Sequence, residues 1–147
     1  MTEVASYMDP DLVLFLNASS REEAIQSLID KLNAKGKLKN KELFSQAIFA
    51  REALVSTAIG MGIAIPHAKL SGYEEFFIAI GILSKGVDWK AIDHLPVRLI
   101  FLIGGPEHKQ TEYLKLLSGI TLLIKNDEIR KKMLALNSPI DIIGLFT

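Results

Sequence analysis

The sequence predicts an α/β fold: one domain, residues 1–147, in which a β-sheet is sandwiched by helices. Three observations predict it. Apolar residues recur at helical spacing over residues 20–35 and 41–51. Short, dense apolar runs fill the middle, at 76–83 and 97–103. Helical spacing then returns from residue 109 onwards. Helices, then strands, then helices, with no repeat and no low-complexity linker, argue for a single sandwich. A chain of 147 residues can bury a real core.

The first helix is predicted over 20–35, with Ser20-Arg-Glu-Glu23 as a capping box and Gly36 as its C-cap. Ala24, Ile25, Leu28, Ile29 and Leu32 form its apolar stripe. Asn40 caps a second helix from Lys41 to about Arg51, with Leu43, Phe44, Ala47 and Ile48 facing the core. Strands are expected at Leu54 to Ile59, Gly62 to Ile65, Phe76 to Leu83 and Val97 to Ile103. The last two lack polar alternation, which suits strands buried on both faces. Gly104-Gly105-Pro106 is read as the stop of the fourth. A third helix follows over Lys109 to Lys125, and Asn126 caps a fourth whose first turn carries Asp127 and Glu128. Ser138-Pro139 opens a short last one.

Composition narrows the function. Hydrophobic residues make up 49% and charged residues 23%, as in soluble globular proteins. Seventeen cations balance seventeen anions, so no charge excess points to nucleic acid or an anionic membrane. There is no cysteine, which excludes a disulfide framework and thiolate chemistry. The opening MTEVASYMDPDLV lacks the basic and apolar regions of a secretory signal. The apolar runs are too short to cross a bilayer, so a cytoplasmic location is expected.

The strongest candidate for chemistry is His67 in "GIAIPHAK", residues 62–69. Pro66 fixes its own φ and holds Ile65 extended, so the histidine leaves a strand end at a defined angle. Small neighbours (Gly62, Ala64, Ala68) let another surface come close. A neutral imidazole nitrogen is a nucleophile, and a phosphoryl group placed on it stays reactive enough to pass on. The competing reading is an ordinary surface histidine in a turn. Arg51 can fork onto phosphate oxygens, or simply favour a helix C-terminus. Ser56 and Thr57 are either hydroxyl donors to such a phosphate or plain strand residues.

Other motifs carry less. His67, His94 and His108 have no metal-ligand spacing, so no metal is expected. Gly60-Met-Gly62 lacks the six-residue window and the Lys-Ser/Thr of a phosphate loop, so nucleotide binding has no support in the sequence; no G-x-S-x-G nucleophile elbow exists, and no cofactor is expected. Trp89 reads as a packing residue.

"REALVSTAIGMGIAIPHAK", residues 51–69, resembles the signature of enzyme IIA in the mannitol/fructose class of the phosphoenolpyruvate-dependent phosphotransferase system. That signature runs Arg-Glu, then Ser-Thr, then Gly-x-Gly-Ile-Ala-x-Pro-His. The likeness continues through "VDWKAIDHLPVRLIFLI", residues 87–103, and "EYLKLLSGI", residues 112–120. The single-domain layout and the "AID…PV…LIF" stretch lean towards the nitrogen-regulatory branch. The resemblance implies a mixed β-sheet covered by helices, with the active histidine in a shallow apolar depression. It implies that an HPr-like phosphocarrier donates a phosphoryl group to His67, with Nε2 as the acceptor. Arg51 would hold the phosphate oxygens, helped by Ser56 or Thr57. One departure stands out: Tyr113 occupies the place where the family usually carries a second histidine. A phenol can donate to phosphate but cannot share a proton near neutral pH.

Three readings follow from this resemblance. The first is a phosphohistidine carrier that regulates target proteins by its phosphorylation state, favoured because no permease or IIB domain is fused to it. The second is a stand-alone IIA component that hands phosphate to a IIB protein of a sugar transporter. The third is a binding module that has lost phosphotransfer along with the second histidine.

Overall fold

The computed structural model describes residues 4–147. Two short 3-10 turns, Val4–Tyr7 and Pro10–Leu12, lead into strand β1, Val13–Leu16. Helices α1 (Arg21–Ala34) and α2 (Lys41–Leu54) follow. Four strands come next: β2 (Ala58–Gly60), β3 (Ile63–Ala64), β4 (His67–Leu70) and the long β5 (Phe77–Val87). Strand β6 (Val97–Pro106) and helices α3 (Gln110–Ile124), α4 (Asp127–Ala135) and α5 (Pro139–Gly144) complete the chain. The sheet order is β1-β5-β6-β3-β2, and β4 pairs with β6 beyond the end of β3. The sheet is mixed. β1 runs parallel to β5, β5 antiparallel to β6, and both β3 and β4 run parallel to β6.

Two-residue alternation sorts the central strands onto two faces. Phe77, Ala79, Leu83, Ile100 and Leu102 join the apolar stripes of α1 and α2 in one core. Ile78, Ile80, Ile82, Leu99, Phe101 and Ile103 join α3, α4 and α5 in the other. Strands covered on both sides have no polar face to show, which is why both read as unbroken apolar runs.

The helix starts follow the expected chemistry. Ser20 accepts from the Glu23 amide, Asn40 from Leu43, Asn126 from Glu128 and Ile129, and Ser138 from Asp141. The capping box is only half formed, because the Glu23 carboxylate turns to the Ser19 hydroxyl at 2.8 Å.

Several boundaries move. Helix α2 runs three residues past Arg51, and the strand expected from Leu54 begins only at Ala58. Side chains of α2 hold the intervening corner, as described below. The strand expected over Gly62–Ile65 shrinks to Ile63–Ala64: Gly62 stands at φ 77°, outside the extended region, and Pro66, without an N–H, follows Ile65, whose amide still donates to the Thr57 carbonyl opposite it. β1 and β4, four residues each, were not anticipated. β5 continues through exposed Ser84, Lys85 and Gly86, which carry no apolar signal.

Gly104-Gly105-Pro106 does not stop β6 but lies within it, opposite Ala68, Lys69 and Leu70 of β4. The glycines serve close packing. A Cβ on Gly104 would stand 2.5 Å from the Phe77 ring and 2.7 Å from Phe44. One on Gly105 would meet the Phe76 ring at 2.3 Å and its Cα at 2.9 Å. Rings from both faces thus sit directly on bare backbone.

Gly104→Ala is expected to cost about 1–3 kcal/mol through overpacking, read from the urea midpoint. An unchanged midpoint would show that the Phe44 and Phe77 rings yield freely. His94 sits at φ 61° and is exposed. His94→Gly should therefore raise stability, by up to about 1 kcal/mol, because glycine adopts that conformation without steric cost. Loss of stability would mean that the His94 side chain makes a compensating contact.

Candidate functional site

The site is assembled from the C-terminal end of α2, the start of β4 and the first turn of α3. Helix α2 delivers two neighbours with opposite tasks. Arg51 is partly exposed and donates from Nη1 to the Val55 carbonyl at 2.8 Å, closing the end of its helix. Glu52 is 4% exposed. Its carboxylate accepts from the Thr57 amide at 2.7 Å, the Thr57 hydroxyl at 2.5 Å and the Trp89 indole at 3.1 Å. An Arg21 guanidinium nitrogen lies 3.8 Å away. A carboxylate taken out of water needs such donors, and here they tie the α2 terminus to the segment that leads into β2 and to the loop after β5.

His67 opens β4 opposite Ile103. Its ring lies 5.8 Å from that of Tyr113, centroid to centroid. Lys69, two residues on and so on the same face, places its ammonium 4.3 Å over the Tyr113 ring and donates to Gln110. Ala68 points the other way, into the α1–α2 core. Ala64 is fully buried as well, so these alanines serve packing and do not clear space around the histidine.

The imidazole is half-buried, and its Nδ1 lies 3.0 Å from the Ile65 carbonyl. A carbonyl only accepts, so the neutral ring carries its proton on Nδ1 and its lone pair on Nε2. Burial lowers the histidine pKa below the ordinary 6.5, and the Arg51 and Lys69 charges push the same way. The Ile65 bond and the Glu52 charge oppose them. At neutral pH the ring is therefore uncharged, with Nε2 available to an electrophile. Tyr113 is nearly buried, and burial raises its pKa while the Arg51 charge opposes this, so the phenol keeps its proton. Among the described residues nothing bonds its hydroxyl.

Of the residues singled out from sequence, His67, Arg51 and Tyr113 come together. Arg51 is near enough for its charge to act on both other groups. Ser56 and Thr57 do not join them as phosphate donors. The Ser56 hydroxyl is given to the Trp89 carbonyl at 2.6 Å, and the Thr57 hydroxyl, 5% exposed, to Glu52. Both hold the loop that carries Trp89. Trp89 is fully buried, as a packing residue should be, but its indole also donates to Glu52. Sequence reasoning missed Glu52 and Lys69. A carboxylate beside a candidate phosphate-binding arginine is a signal for the first, and a cation two residues from His67 for the second. Leu54 and Val55, just past Arg51 at the end of α2, and Leu114, next to Tyr113 in sequence, are exposed apolar residues at 78%, 65% and 53%. His108 is exposed in the turn after β6. Among the described residues no helix is long and apolar enough to cross a membrane.

Comparison with known proteins gives a consistent picture. The sequence profile of the family described as "Phosphoenolpyruvate-dependent sugar phosphotransferase system, EIIA 2" matches residues 6–147. The chain is 36% identical over 132 residues to the fructose-specific EIIABC component of Bacillus subtilis. That match covers 90% of this chain and 21% of the relative, so the chain spans about a fifth of that protein's length. It is 33% identical over 133 residues to a nitrogen regulatory protein of Bradyrhizobium diazoefficiens, covering 90% of this chain and 86% of that one. The crystal structure of the nitrogen regulatory protein IIA-Ntr from Neisseria meningitidis superposes with a TM-score of 0.91 at 26% identity, covering 98% of this chain and 99% of that one.

Two outcomes are expected. Thr57→Val leaves the buried Glu52 short of a donor and should cost about 1–3 kcal/mol in urea unfolding; no loss would mean that water replaces the hydroxyl. His67 should titrate below pH 6.5 by NMR, and Arg51→Gln should move it upward. The unfolded chain then takes up this proton first as pH falls. His67 contributes nothing to stability above the unfolded value and costs stability as pH drops from there to the folded value. A His67 titration at or above 6.5 would contradict the burial argument.

Proposed function

The chain belongs to the EIIA type-2 family of phosphoenolpyruvate-dependent sugar phosphotransferase systems, and on that premise we propose that it is a phosphohistidine carrier with His67 as the phosphoryl acceptor. The observation that carries the proposal is the bond between Nδ1 and the Ile65 carbonyl, which leaves the lone pair on Nε2. An HPr-like phosphocarrier docks over the site. The Nε2 lone pair forms a bond to phosphorus while the donor's own P–N bond breaks, and the departing nitrogen keeps that electron pair. Arg51 neutralises the phosphoryl oxygens, and the protonated Tyr113 hydroxyl donates to them. Catalysis is positioning plus fixed charge, so the proposal requires no cofactor. Ser56 and Thr57 act behind the site, by holding the corner after α2.

The phosphorylated form passes its signal to a regulatory target. Added charge of about −1.5 to −2, as for phosphorylated side chains generally, beside exposed Leu54, Val55 and Leu114 weakens apolar contacts and favours cationic partners. A second reading is transfer of the group to a IIB protein of a sugar transporter. It is favoured by the similarity to a fructose-specific relative, which matches that to a nitrogen regulatory one.

The test is intact mass after incubation with phosphoenolpyruvate, enzyme I and an HPr-like carrier, without ATP. One acid-labile phosphate is expected, absent from His67→Ala. Arg51→Gln should slow its formation by about 100-fold, the usual loss for one preorganised donor to a developing charge. Retention of the phosphate by His67→Ala would place the acceptor elsewhere. Addition of IIB proteins to the phosphorylated chain separates the two outputs: discharge indicates transport, and persistence indicates regulation.

A further inference from the structure

Away from His67, the sheet carries an unexplained arginine. Gly62 accepts from two successive amides of β6, Arg98 at 2.9 Å and Leu99 at 3.1 Å. The β5–β6 register shifts in the same place, between the Ile82 and Val87 pairs. Val97 packs in the α1–α2 core, whereas Leu99, two residues on, packs in the opposite core. Regular alternation would have put both on one face. Leu83 to Gly86 of β5 thus stand opposite Arg98 alone, so the extra residues of this bulge lie on β5, while the change of face along β6 falls at Arg98; such an irregularity re-aims a side chain.

The bulge directs Arg98 into a hollow of about 280 Å³, formed against Leu134 near the end of α4. Met61, Leu95, Pro96 and Leu99 supply the rest of its mostly apolar wall. A second hollow of about 260 Å³ adjoins it and shares Arg98 and Leu134. Arg98 is half-buried and spends only Nε inside the chain, on the Leu83 carbonyl at 3.0 Å. Among the described residues its terminal amino groups have no hydrogen-bond partner and it pairs with no carboxylate. Arg130 also lines the first hollow, but its guanidinium is already committed to the Ile124 carbonyl and to Asp127.

We propose that the hollow between the irregular start of β6 and α4 binds a small aliphatic monocarboxylate, anchored by Arg98. A partly desolvated guanidinium gains most from a planar anion that matches its fork, which a carboxylate does. The single uncompensated cation suits one negative charge. The apolar walls suit a short hydrocarbon body and disfavour phosphate or sulfate, whose remaining oxygens would face Leu95, Leu99 and Leu134. This site is distinct from the phosphoryl site. Leu99 pairs with Ile63 and Ile103 with His67, four residues apart along β6, which is about 13 Å at about 3.3 Å per residue. The inference does not depend on the phosphoryl-transfer reading.

Octanoate is the probe, followed by amide chemical shifts of the full chain. Saturable shifts are expected at Gly62, Leu99 and Leu134, with His67 unmoved. Octanol, of equal chain length but uncharged, should bind at least tenfold more weakly. Arg98→Met should weaken octanoate by a similar factor, and Arg98→Lys should retain part of the affinity. Equal binding of octanol and octanoate, or no shifts in the millimolar range, would overturn the proposal. So would unchanged octanoate binding by Arg98→Met. If that variant does not fold, the comparison of octanoate with octanol in the unaltered protein decides alone.

Discussion

The buried carboxylate of Glu52 is the constraint around which the site is built. It lies one residue from Arg51, near the end of α2, and draws three donors from two other segments. Those bonds set where the chain turns after α2, and so where β2 and β3 begin. They also pin the loop after β5 through Trp89, whose carbonyl in turn accepts from Ser56. With the helix end and both loops tied to one carboxylate, the guanidinium of Arg51 has a fixed origin. An uncompensated charge at such depth would cost several kcal/mol, about 3–5 when one partner of a buried pair is removed. The corner therefore has no cheap alternative conformation.

A second support comes from the opposite core. Gly105 leaves room for Phe76 against the backbone of β6. Phe76 lies 5.9 Å from Tyr113, and Tyr113 lies 5.8 Å from His67. The imidazole thus rests on a row of aromatic rings that begins at a bare strand backbone. This arrangement bears on Tyr113, which stands where the family resemblance implies a second histidine. The phenol keeps the aromatic contact and one hydrogen-bond donor, and gives up proton exchange near neutral pH. Lys69 over its face places a positive charge on that side of the site.

Charge and burial act together on His67. Desolvation, Arg51 and Lys69 all disfavour the imidazolium, while the Ile65 carbonyl orients the neutral ring. If His67 is the phosphoryl acceptor, the cations that keep its ring neutral are also the charges nearest the incoming anion. On the proposed reading, one set of residues would both prepare the unmodified ring and receive the modified one.

Much of this was legible in the sequence, because its causes are local. Helix caps are short-range bonds between a side chain and an amide three residues on, so Ser20, Asn40, Asn126 and Ser138 marked the helix starts. Strands buried on both faces show as dense apolar runs, and a proline before a histidine restricts the backbone wherever it lies. The stretch 51–69 singled out His67 and Arg51, and the stretch 112–120 singled out Tyr113 as a departure from the family pattern; the structure brings the three together. What only the tertiary structure decided depends on partners distant in the chain. β1 and β4 exist because β5 and β6 offer them unpaired edges, and four residues carry too little pattern to announce that. Gly104-Gly105-Pro106 stays extended because β4 pairs with it. Ser56 and Thr57 turn inward because a buried carboxylate on α2 and a carbonyl in the loop after β5 claim their hydroxyls. Hydrogen-bond demand in a core is settled by who arrives beside whom, and spacing along the chain does not record that.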